Sequence, residues 1–147
     1  GKSLGGGITP YSGVLLDMKH AVFEPGEHGG TYAGNAFGST IACAVIDELE
    51  RMDAPSRSRE MGSYLLHGLK HELAGNPRIA DIRGAGLMIA IEFVEGNEPH
   101  DMAMRCIAKG VLTIGGKIAV RVSPPLTIDY KTFDELVTRI ADAHKSN

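Results

Sequence analysis

Residues 1–7, GKSLGGG, hold the reading that decides the fold. Two chemistries compete for them. Gly1-Lys2-Ser3 has the form of the end of a P-loop, in which a glycine-rich head precedes the lysine and a helix follows it. Lys2 ahead of a glycine turn is also the form of a catalytic lysine held on tight backbone. The residues after Ser3 are Leu4, Gly5, Gly6 and Gly7. Each glycine costs about 1 kcal/mol in a helix relative to alanine. A helix starting at Ser3 is therefore disfavoured, and the P-loop with it. A lone lysine near a chain end is ordinarily a solvated one, so the rest of the sequence has to supply its context.

The 147 residues are 43% hydrophobic and 22% charged, an ordinary globular balance that can bury a core. A net charge of -3 gives no basic surface for nucleic acid or anionic membrane. No apolar run approaches the ~20 residues of a membrane span. The two cysteines, Cys43 and Cys106, stand far apart without metal-ligand spacing, so a reduced, cytoplasmic protein without a metal site is expected. There is no initiator methionine, and the chain enters a motif at once, as a truncated chain would.

Residues 11–16, YSGVLL, read as a short buried strand, and 24–35 as a glycine-rich loop. Asn35 stands where a helix N-cap belongs. Phe37, Ile41, Val45 and Leu49 then repeat at i, i+4, which predicts a helix over 36–52. Asp53-Ala54-Pro55 breaks it and marks a boundary or hinge. A second helix is expected over 56–74, capped by Ser56, with Met61, Leu65, Leu69 and Leu73 on its inner face. Residues 79–83 and the alternating Leu87, Ile89, Ile91 and Phe93 predict two strands about a Gly84-Ala85-Gly86 turn. A third helix should run from near Asn97 and Pro99 to Lys109, with Gly110 as its C′ residue. VLTIGG and IAVRV read as strands stopped by Pro124-Pro125. Asp129 caps a last helix whose face is Phe133, Leu136, Val137, Ile140 and His144. The fold class is thus α/β, with a small layered domain over 53–147 and a loop-rich segment over 1–52.

Four motifs occur in fixed order: KSLGGG, EHGGTYAGN, RGAGLMIAIEF and RVSPPLTI. Together they resemble the class III aminotransferases, pyridoxal-phosphate enzymes of fold type I, and within them the acetylornithine and ornithine branch. The resemblance covers essentially the whole chain. It implies that residues 1–52 end the large cofactor-binding domain, that 53–147 form the small C-terminal domain, and that the chain is the C-terminal part of a longer enzyme, inactive when taken alone. It implies pyridoxal 5'-phosphate as cofactor, a homodimer with shared active sites, and transfer of an amino group from an ornithine-like or other ω-amine donor to a 2-oxo acid, above all 2-oxoglutarate.

The same resemblance assigns residues. Lys2 matches the Schiff-base lysine, whose amine can also move a proton once released. Thr31 matches the threonine whose hydroxyl reaches the cofactor phosphate of the neighbouring subunit; taken alone, a loop threonine is a turn residue. Arg121, which precedes the Pro124-Pro125 turn by way of Val122 and Ser123, matches the arginine that clamps a substrate carboxylate with its planar fork. Taken alone, it is a solvent-facing strand residue. Arg83 reads as structural, and His28 as part of its loop. Where ornithine-type members carry Ser or Thr before the loop threonine, Gly30 stands here, which argues against acetylornithine as donor. The competing expectation is a catalytically inactive remnant with a structural or partner-binding role.

Overall fold

The computed structural model describes residues 3–95 and 99–145. The chain divides into two compact units, Gly1–Asp53 and Ala54–Asn147.

The first unit is built on one helix. Ser3–Gly5 forms a 3-10 turn, Met18–His20 another, and helix α1 runs Ala36–Arg51. Asn35 caps α1 as its sequence predicts: the Gly38 N–H donates to Asn35 Oδ1 at 2.8 Å. The expected strand at 11–16 is absent. Those residues have no regular structure, and Val14, Leu15 and Leu16 are exposed, Leu15 fully. An apolar run becomes a buried strand only beside sheet neighbours, and the described residues of this unit contain no strand. The predicted apolar face of α1 is shifted as well. Gly38 and Ala42 are its buried residues, Ile41, Val45 and Leu49 are half-buried, and Phe37 is exposed.

The second unit has a core of its own. Helix α2 spans Ala54–Glu72, strand β1 Ile79–Ala85, β2 Met88–Phe93, helix α3 Pro99–Ala108, β3 Ile114–Gly115, β4 Ala119–Val122 and helix α4 Tyr130–Lys145. The strands form one antiparallel sheet in the order β1-β2-β4-β3. Ile82, Ile91 and Val120 are register partners, and with Ile89, Phe93 and Val122 they line the buried face. Helices α2 and α3 pack on that face, and α4 packs against both. Met61, Leu65 and Leu69 of α2 and Leu73 just beyond its end are all buried in the core, at the predicted spacing, as are Phe133, Val137 and Ile140 of α4. The result is a two-layer mixed α/β unit with one sheet face open.

Helix α2 begins at Ala54, two residues ahead of the predicted Ser56 cap. Asp53 at φ 44° turns the chain sharply, and Pro55 lies in the first turn, where its missing N–H costs nothing. The expected start of α3 near Asn97 lies outside the described residues. Asp129 caps α4, accepting the Thr132 N–H at 2.7 Å. VLTIGG contributes only Ile114 and Gly115 to the sheet, because the Gly116 N–H already turns back to the Ala119 carbonyl at 2.8 Å. Helix α2 meets the sheet closely at Gly62, where an added Cβ would lie 2.1 Å from the Gly86 carbonyl oxygen.

Candidate active site

Lys2 lies outside the described residues, and the glycine turn of its motif lies within them. Gly6 and Gly7 take φ of 61° and 75°, left-handed values that L side chains rarely adopt. A Cβ on Gly6 would come within 3.0 Å of the Val45 side chain, so the turn after Lys2 rests on α1. Tyr11 ties the next residues down. Its hydroxyl lies 2.8 Å from Ser39 Oγ, and its ring covers Gly38, where a Cβ would lie 2.3 Å from it. Gly6 thus brings bare backbone of the lysine motif against Ile41 and Val45 of α1, and Gly38 leaves room on α1 for the Tyr11 ring.

Thr31 opens the turn at 31–34, which the Ala33 N–H closes by donating to the Gly30 carbonyl at 3.0 Å. Asn35 joins that turn to α1 with both ends of its amide: Nδ2 donates to the Tyr32 carbonyl at 2.9 Å, while Oδ1 caps the helix. Thr31 is exposed, and its hydroxyl has no hydrogen bond among the described residues. It stands ahead of a helix N-terminus, where backbone N–H groups and the helix dipole favour an anion. His28 stacks on Phe23 with ring centroids 5.2 Å apart, in keeping with its expected place in the loop.

Arg121 is on the open face of the second unit's sheet. Arg83, Ala90, Arg121 and Ile114 form one cross-strand row. Between the two arginines lies a shallow depression of 410 Å³, floored by Ala90 and edged by Gly84, Met88 and Ile89. The two guanidinium groups differ in what holds them. Arg83 donates to Glu92 and, at 3.3 Å, to Asp81; the hydrogen bond to Glu92 and then that to Asp81 push its pKa up. Arg121 has neither an ion pair nor a hydrogen bond among the described residues, so its donors are available. Val120 and Val122 are buried on the opposite face, as alternation predicts, but Ile118 is exposed beyond the strand's end.

Thr31 belongs to the first unit and Arg121 to the second. Sequence reasoning missed the double clamp of Asn35 and the covering of Gly38 by Tyr11. Neither leaves a periodic signal, though a helix that carries glycine in its first turn invites a search for a close neighbour. The small residue between Arg83 and Arg121 was legible, since the alternation in LMIAIEF puts Ala90 opposite the buried isoleucines.

Comparison with known proteins places these features in a family. The model of the aminotransferase class III family matches residues 1–144. The ornithine aminotransferase of Exiguobacterium sp. is 39% identical over 137 residues, 92% of this chain and 33% of that protein. The acetylornithine aminotransferase of Methanothermobacter thermautotrophicus is 38% identical over 144 residues, 92% of this chain and 35% of its own length. Among solved structures, the ornithine aminotransferase of Plasmodium yoelii superposes with a TM-score of 0.80 at 31% identity, over 88% of this chain and 35% of that one. The chain therefore spans about a third of the length of the curated relatives it matches. The family match runs from the lysine motif through the sheet row of Arg121 almost to the end of α4, and the chain belongs to the class III aminotransferases.

Proposed function

We propose that the chain forms part of a pyridoxal-phosphate-dependent aminotransferase that moves an amino group from an ornithine-like ω-amine donor to a 2-oxo acid, with 2-oxoglutarate as the first candidate acceptor. The observation that carries this reading is the unpaired guanidinium of Arg121 on an open sheet face, in a chain that belongs to the class III family. One of the structures it resembles, an ornithine aminotransferase from Toxoplasma gondii at 30% identity and a TM-score of 0.76, is described with pyridoxal phosphate at partial occupancy in its active site.

The residues present fit that cofactor. It needs an amine, a phosphate site and close backbone. Lys2 supplies the amine, Thr31 has an unengaged hydroxyl before a helix N-terminus, and Gly6 and Gly7 keep side chains away from the turn after Lys2. When bound, the cofactor supplies an electron sink for carbanion chemistry. The chain's own residues supply the rest. Lys2 holds the cofactor and passes a proton to and from the substrate's amine-bearing carbon. Thr31 donates to the phosphate oxygens. Arg121 grips a substrate carboxylate in two parallel N–H···O bonds and so orients that carbon.

A homodimer is part of the proposal, with Thr31 serving the neighbouring subunit's cofactor. Its support is the exposed apolar run of Val14, Leu15, Leu16, Val22 and Phe23 in the same unit, a surface that association would cover. The test is a coupled assay of the longer enzyme of which this chain forms part, with ornithine and 2-oxoglutarate, run with its Thr31→Ala variant. Turnover is expected, with cofactor affinity in the variant weaker by about 1.5 kcal/mol, roughly tenfold, for one lost bond to a charged group. A protein that neither binds the cofactor nor turns over any ω-amine would instead support the inactive remnant.

A further inference from the structure

We propose that His67 and His71 form a clamp for a transition-metal ion, Cu²⁺ above all and Zn²⁺ or Ni²⁺ more weakly, on the outer surface of α2. The two residues are four apart on one helix and therefore share a face, with Cβ atoms about 5–6 Å apart. Both are exposed, and both line one groove of 400 Å³ between α2 and α4, with Tyr64, Glu72, Asp134 and Thr138. Metal–imidazole bonds are about 2.0–2.1 Å long, so two solvated rings at this spacing reach one ion by side-chain rotation alone.

The neighbours suit a ligand pair. His71 Nδ1 lies 3.1 Å from Glu72 Oε1. A carboxylate on one ring nitrogen fixes the proton there and leaves Nε2 with its lone pair, the arrangement usual behind a metal-bound histidine. Asp134, from α4, receives the Tyr64 hydroxyl on Oδ1 at 2.7 Å and adds negative charge to the groove. Among the described residues no group of three or more His, Cys, Asp or Glu could hold a metal. The clamp is thus a two-imidazole site whose remaining positions take water. Nitrogen ligands of this kind select Cu²⁺ over Ni²⁺ and Zn²⁺, and give little to Mg²⁺ or Ca²⁺, which require oxygen cages. His20, His28, His100 and His144 have no histidine four residues away, which makes them internal controls.

The test is calorimetric titration of the whole chain with Cu²⁺ and with Zn²⁺ at about pH 7.5. One saturable site is expected. His67→Ala and His71→Ala should each lower affinity at least tenfold, Glu72→Gln severalfold, and His28→Ala not at all. Because α2 also holds the core, a second measurement uses the unmodified chain: substoichiometric Cu²⁺ should broaden amide resonances of residues 63–72 and 130–138 before any others. Binding that survives the His67→Ala, His71→Ala double substitution, or broadening centred elsewhere, would overturn the proposal.

Discussion

Arg83 and Arg121 occupy one row of one sheet, two strands apart, and their surroundings give them different work. Arg83 is held by Glu92 and Asp81 and cannot serve a substrate without leaving them. Arg121 is unpaired among the described residues, and Ala90 beside it leaves room for a small carboxylate. Lysine at 121 would keep the charge but lose the fork. Arg121→Lys should therefore cost about 1.5–3 kcal/mol in binding an amino or 2-oxo acid, roughly ten- to a hundredfold in kcat/KM. An amine donor without an α-carboxylate should be spared. An unchanged kcat/KM for glutamate would remove Arg121 from the site. Gly62 offers a test of packing at the same scale. Alanine there would gain about 1 kcal/mol of helix propensity. Its Cβ, however, would lie 2.1 Å from the Gly86 carbonyl oxygen, a backbone atom that cannot rotate away. The clash wins, and Gly62→Ala should lower stability by about 1–3 kcal/mol in a denaturant titration.

Helix α4 carries a titratable group in its last turn. His144 is 2% exposed, both ring nitrogens lack a hydrogen-bond partner, and its ring lies 6.1 Å from that of Phe93. Burial first, then the charges of Arg78 and Arg105, hold its pKa below 6.5. The folded unit thus keeps His144 neutral where the unfolded chain protonates it. Stability from this source is complete above about pH 6.5 and is lost as pH falls through the lowered folded value. His144→Phe should flatten the acid side of the stability profile below about pH 6.5, and a slope equal to that of the unsubstituted chain would refute the cause. The helices of the second unit were legible because their inner faces repeat at i, i+4 and their ends carry signals such as Asp129. The strands were less so. Leu87, Ile89, Ile91 and Phe93 take every second position, with Met88, Ala90 and Glu92 between them, and read plainly. YSGVLL is apolar without alternation, and nothing in such a run says whether a sheet exists to receive it. VLTIGG reads as a strand, but its two glycines close a turn after two paired residues. The candidate site was legible as motifs, in Lys2, Thr31 and Arg121. The amide of Asn35, the ring of Tyr11 and the carboxylates around Arg83 were not, because each acts across a distance that only folding closes.

The two units differ in what keeps them folded. The hydrophobic core lies wholly within the second, from Met61 to Ala143. Arg57 fastens its α2 to the loop before α4, donating to the carbonyls of Leu126 and Ile128 at 2.6 Å each. The first unit fully buries only Gly5, Gly38 and Ala42 among its described residues, and the segment 7–34 is almost entirely exposed. Limited proteolysis of the chain should cut within 8–34 first and leave a resistant product over about 54–147. Early cuts inside α2 or the sheet would contradict that difference. No helix among the described residues is long and apolar enough to cross a membrane. The proposed chemistry turns on the amine of Lys2, and the most direct measurement is of that amine. The cofactor-loaded full-length enzyme is reduced with borohydride, and the labelled residue is located by tandem mass spectrometry. Label on Lys2 alone is the expected result, whereas label on Lys19 or Lys117 with Lys2 unmodified would contradict the assignment of the site.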